Sequence, residues 1–81
     1  MMNYYPIMFN KVNFVKTLAV PEELVPKACE LAAEIEDAYY RKNDAIVIDD
    51  DDEIYLASKE YSSKIKSLWD LIDSGSKIIE Y

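Results

Sequence analysis

With 81 residues, one cysteine (Cys29) and no histidine, this chain has to hold itself together with a single thin apolar core. Chains of this length leave a large share of their surface in water and often lean on a disulfide, a zinc ion or a partner. The residue inventory closes the first two routes, because an internal disulfide needs a second cysteine and the usual zinc sites need several Cys or His ligands. A partner is the remaining support. Hydrophobic residues make up 51% of the chain and charged ones 31%, the balance of a folded globule and not of a disordered segment. The expectation is one domain over residues 11–81, preceded by residues 1–10 as an N-terminal extension or extra strand.

Val12, Phe14, Leu18 and Val20 alternate with more polar neighbours and predict a strand over residues 11–20, with Lys16 as a misfit on its apolar side. Pro21, Glu22 and Glu23 then read as a helix start, since proline suits the first turn and carboxylates favour the positive end of the helix dipole. Pro26 complicates that start. Either residues 21–24 form a separate turn or the helix begins near Pro26, and it runs to about Lys42 on the stripe Leu24, Ala28, Leu31, Ile35 and Ala38 or Tyr39. Residues 45–48 and 54–57 are short β-rich runs on either side of five acidic residues, and predict a β-hairpin with an acidic tip. Tyr61, Ile65, Leu68 and Ile72 return to helical spacing over residues 59–74, and Gly75, the sole glycine, fits the left-handed residue that stops a helix. The predicted fold class is α+β: a small antiparallel sheet, in the order strand-helix-strand-strand-helix, with two helices packed on one face.

Function classes narrow by elimination. Nucleophilic catalysis through a Cys–His or Ser–His–Asp arrangement needs a histidine, and a phosphate-cradling loop needs more than one glycine. No catalytic residue, metal or cofactor is expected. The net charge of −7 opposes direct binding to nucleic-acid phosphates. Residues 1–9 lack a basic leader and contain Pro6, so neither a signal peptide nor a membrane span is expected there, and the location expected is cytoplasmic. The absence of glutamine as well as histidine leans toward a thermophilic source.

The acidic patch Asp49, Asp50, Asp51, Asp52 and Glu53 reads first as a solvated turn that discourages edge-to-edge aggregation. A sharper alternative is imitation of nucleic-acid phosphates by an inhibitor, encoded by a virus, of a DNA- or RNA-binding protein. Cys29 reads as a small buried hydrophobe. Tyr39, Tyr40, Tyr55 and Tyr61 serve equally as interface anchors or core. Trp69 is assigned to the core, where truncation to alanine costs on the order of 3–5 kcal/mol. If two helices cover one sheet face, the other meets solvent or a partner, and Val15, Val47 and Tyr55 are the apolar residues expected to point outward.

The segments Leu18-Ala19-Val20-Pro21-Glu22-Glu23-Leu24-Val25, the hairpin at 45–57, Ser62-Ser63-Lys64-Ile65-Lys66 and Ile78-Ile79-Glu80-Tyr81, in that order, resemble the small Pcc-type subunit of KEOPS. KEOPS is the archaeal and eukaryotic complex that forms threonylcarbamoyladenosine in tRNA. The likeness covers most of the chain from Lys11 onward. It implies a non-catalytic accessory subunit in tRNA processing that dimerises, with Ser62, Ser63 and Lys66 joining Val15, Val47 and Tyr55 at the partner interface. Lys66 stands where the family has arginine, an asparagine further along that helix is missing, and the surface is acidic. These departures look more like the archaeal paralogue that pairs with the tRNA-competent subunit, so the partner implied is a paralogous small subunit, in a heterodimer or homodimer. No direct nucleic-acid contact and no membrane are expected.

Overall fold

Heptad spacing organises most of the molecule. In α1 (Val25–Val47) the residues Ala28, Leu31, Ile35, Ala38 and Ala45 are buried, and with Lys42 they advance by alternating steps of three and four. In α2 (Asp51–Asp73) Ile54, Ala57, Tyr61, Lys64, Leu68 and Leu71 advance in the same way. Such a repeat puts one seam on each helix, and two helices joined by a short turn bury their seams against each other as an antiparallel coiled-coil hairpin. No glycine or proline lies between Lys27 and Ser74, so nothing in the backbone breaks either helix.

The computed structural model describes residues 3–80. Its order is β1 (Tyr4–Met8), β2 (Thr17–Pro21), a 3-10 turn (Glu22–Leu24), α1, α2 and β3 (Lys77–Glu80). The strands form one antiparallel sheet with β2 in the centre. The fold is α+β, a small antiparallel sheet with two helices, as composition and periodicity predict. The element order differs: it is strand-strand-helix-helix-strand. Residues 45–47 and 54–57 are helical and Ile48 caps the first helix, because the seams run through Ala45 and Ala57 and burial against a partner helix outweighs a local preference for strand. The sheet takes its outer strands from residues 4–8 and 77–80. The strand predicted over 11–20 is confined to its second half, with the loop before it closed by Phe9 N–H donating to the Lys16 carbonyl at 2.9 Å.

The core sits where hairpin and sheet meet. Ile7 is paired with Leu18 and Leu18 with Ile78, and this row faces Phe9, Val15, Val20, Leu31, Ile35, Leu68 and Leu71. Pro6, which has no amide proton to give a ladder, lies on an edge strand. Beyond the base, the hairpin projects as a stalk, and the molecule measures 50 × 17 × 17 Å. Cys29 is exposed, one step past the seam residue Ala28 that takes the buried place. Trp69 is also displaced from the core, next to the seam residue Leu68. It is 46% exposed and lies near-parallel on Phe14 with ring centroids 4.6 Å apart.

Both helices end in the same way. Ser76 N–H donates to the Leu71 carbonyl and Gly75 N–H to Ile72; Asp50 N–H donates to Ala45 and Asp49 N–H to Ile46. These are Schellman motifs, which require a positive φ at the turning residue. Gly75 takes φ 119 and Asp49 takes φ 57. An L side chain is strained at the first angle and tolerated, at some cost, at the second when it is Asp or Asn. Gly75→Ala is therefore expected to lower stability by about 1–2 kcal/mol, and Asp49→Gly to raise it by about 0.5–1 kcal/mol. Urea melts of the two variants should move in opposite directions; a shared direction would contradict the turn geometry.

Candidate protein-docking site

At the far end of the stalk the chain reverses through Ile48, Asp49 and Asp50. Asp50 caps α2, its carboxylate accepting the Glu53 backbone N–H at 3.2 Å, and Asp51, Asp52 and Glu53 occupy the first turn. Carboxylates there satisfy free amide donors and complement the positive helix end. The acidic run is thus explained locally as the start of a helix, not the tip of a β-hairpin. Among the described residues no three Cys, Asp or Glu side chains converge as metal ligands.

The same end carries apolar surface. Ile46 and Val47 finish α1, Ile48 caps it, and Tyr55 and Leu56 lie in the opening turns of α2; all five are 52–84% exposed. Scattered exposed apolar residues are ordinary on any protein, whereas a group of them gathered at one place marks an interaction surface. Their exposure follows from the seams. Ala45, Ile54 and Ala57 face the partner helix, so their neighbours at 46, 47, 55 and 56 are turned outward.

The stalk holds this end in place through cross-helix contacts. Arg41 bonds Glu60 of α2 at 2.6 Å and Lys64 bonds Glu34 of α1 at 2.7 Å, while Asp37, one turn back on α1, holds Arg41 at 2.9 Å. The hydrogen bond to Glu60, reinforced by both carboxylate charges, raises the Arg41 pKa; the bond to Glu34 does the same for Lys64. Tyr61 O–H donates to the Lys11 carbonyl at 2.5 Å, tying the β1–β2 loop to α2. Burial, with a smaller contribution from Tyr39, raises the Tyr61 pKa.

The residues assigned to a partner interface fall in three places. Val15 is 1% exposed and belongs to the core at the base, where the loop before β2 folds inward instead of continuing an exposed strand. Ser62, Ser63 and Lys66 are exposed in the middle of α2. Val47 and Tyr55 are brought together at the tip with Asp49, Asp50, Asp51, Asp52 and Glu53. Ile46, Ile48 and Leu56 belong with them and were hidden by the β-hairpin reading. Extending the Ala28 to Ala38 spacing to Ala45 marks Ile46 and Ile48 as off-seam positions, and the α2 seam through Ile54 and Ala57 does the same for Leu56.

Among the described residues no helix is long and apolar enough to cross a membrane. No family model matches the chain, and neither a curated protein nor a solved structure is similar enough to match it.

Proposed function

We propose that this protein is a non-catalytic binding module whose hairpin tip docks into an apolar depression, rimmed by basic side chains, on a protein partner. The observation that carries the reading is the coincidence of Ile46, Val47, Ile48, Tyr55 and Leu56, all exposed, with an uninterrupted acidic run at one end of a long stalk. Apolar anchors supply most of an interface's binding energy, and surrounding charge sets encounter rate and choice of partner. The net charge of −7 disfavours tip-to-tip pairing of two copies and favours a basic counterpart.

The test is capture from native extract with full-length protein as bait, using the wild type and the double variant Val47→Ser/Tyr55→Ser. Both positions are exposed, so thermal melting should be unchanged. The partner should be lost from the variant, and affinity measured with it purified should fall about thirtyfold or more, a hot-spot-sized effect. Equal capture by both baits would end the proposal. Salt separates this reading from phosphate mimicry by the carboxylates alone. An apolar anchor keeps its affinity in high salt, while a purely ionic contact loses it steeply.

A narrower reading, carried by the sequence resemblance, gives the partner as a paralogous small subunit of a KEOPS-like complex in the cytoplasm. Of the residues behind it, Pro21 to Leu24 lead into α1, Ser62 and Ser63 lie within α2 and not at its start, and residues 45–57 contain no β-hairpin. The docking reading stands without that assignment. Co-purification with tagged KEOPS subunits tests it, and no association with the small paralogue would remove it.

A further inference from the structure

Halfway along the stalk, the β1–β2 loop folds against the helices and leaves an open cleft of about 340 Å³ between Asn10, Lys11 and Asn13 on one side and Tyr39, Lys42 and Tyr61 on the other. Two of its walls are aromatic, the Tyr39 and Tyr61 rings lying 6.4 Å apart with their planes tilted by 52°. Its charge is opposite to that of the molecule. The net charge is −7, yet the charged residues lining this cleft are Lys11 and Lys42, and no carboxylate is among its described lining residues.

The two lysines differ from Arg41 and Lys64 in their pairing, and from the exposed Lys59 and Lys66 in that they line a cleft. Arg41 and Lys64 are committed to carboxylates, whereas neither Lys11 nor Lys42 is in an ion pair among the described residues. Lys42 stands at a seam position where an apolar residue would close the helices, a place where a charged group normally costs stability unless it is paired. The matching seam lysine of α2, Lys64, has Glu34; Lys42 has no such partner. Its helical neighbours three and four residues away are Ala38, Tyr39, Ala45 and Ile46, so no carboxylate on its own helix is placed to neutralise it. Lys11 is held over the Tyr39 and Tyr40 rings at 5.2 and 5.4 Å, which fixes the ammonium at the cleft without cancelling its charge.

The geometry points to a binding site for a small organic anion bearing a flat ring. Its phosphate or carboxylate would be held between Lys11 and Lys42, its ring laid on Tyr61 beside the Tyr39 ring that Lys11 covers, and its edge bonded by the amides of Asn10 and Asn13. The cleft's volume lies at the lower end for small-molecule sites. Two ammonium groups supply the charge-assisted bonds an anion needs, and tyrosine faces suit a planar ring. This site is separate from the tip and does not depend on the docking reading.

The test is titration of the isotope-labelled full-length protein with phenyl phosphate, inorganic phosphate and phenol at constant ionic strength, followed by amide shifts. Phenyl phosphate should move Asn10, Lys11, Asn13, Tyr39 and Lys42 with one saturating curve, and phenol should not. Lys42→Glu should weaken that curve about tenfold or more with unchanged melting, whereas Lys59→Glu, on an exposed part of α2, should leave it intact. Shifts spread over Lys59 and Lys66, or undiminished binding by Lys42→Glu, would overturn the site. An equal response to inorganic phosphate would overturn the ring contact.

Discussion

Leu68→Ala is expected to cost about 2–5 kcal/mol, a large share of the stability of a domain this small. Leu68 is fully buried where α2 meets the sheet and packs into the same cluster as Phe9, Leu18 and Ile35. Truncation removes its transfer energy and leaves a cavity that surrounding strands cannot fill without breaking register. Stability per residue is small, so a domain of 81 residues has about 4–12 kcal/mol in all. Trp69→Ala, one residue away, is the matched control: the ring is 46% exposed and stacked on Phe14, and about 1–2 kcal/mol is expected. Urea melts of both variants test the assignment. If Trp69→Ala proves the costlier, the core is not at the Leu68 seam.

Ala57→Leu is expected to cost about 1–3 kcal/mol, concentrated at the far end of the stalk. Ala38, Ala45 and Ala57 are fully buried with only a methyl each, so the helices must approach closely there, and a larger side chain has to push them apart. Alanine also contributes little apolar area, which makes the outer stalk less firmly held than the base, where Leu31, Ile35, Leu68 and Leu71 meet. Amide exchange should therefore be faster near Ala45 and Ile54 than near Leu31 and Leu68, and Ala57→Leu should accelerate the outer amides while leaving the inner ones slow. Uniform acceleration along both helices would mean that the stalk opens as one unit. If the tip docks as proposed, this softer outer half is also the part that can adjust to a partner.

Much of the fold was legible in the residues. The mixed class, the first helix with its stripe through Ala28, Leu31 and Ile35, and the left-handed stop at Gly75 all follow from local rules, whereas Pro26 leaves the helix start open between a separate turn over 21–24 and a beginning near Pro26; Pro21 ends β2 and the turn is Glu22–Leu24. The second stripe was half right: Tyr61 and Leu68 are on the seam, while Ile65 and Ile72 flank it and Lys64 and Leu71 complete it. Residues 45–57 misled because Ile, Val and Tyr prefer strands locally. Five consecutive acids imitate a turn there, although a carboxylate run equally begins a helix. At the tip, Val47 and Tyr55 could be singled out as exposed apolar residues and Ile46, Ile48 and Leu56 could not, since which residues face outward depends on the helical seam.

One small core without disulfide or Cys/His zinc support, an acidic surface, and helices whose apolar residues recur at steps of three and four can all be read from the residues in order. These are properties of composition and of spacing within one segment. Long-range packing sets the acidic segment between two helices, closes the sheet with strands at 4–8 and 77–80, and turns Val15 inward while Trp69 remains at the surface. Each of those outcomes depends on which distant segment offers the larger buried area. Local preferences differ by about 1 kcal/mol or less per residue, whereas burying a large apolar side chain against a distant segment is worth about 1.5–3 kcal/mol, so packing prevailed wherever the two disagreed.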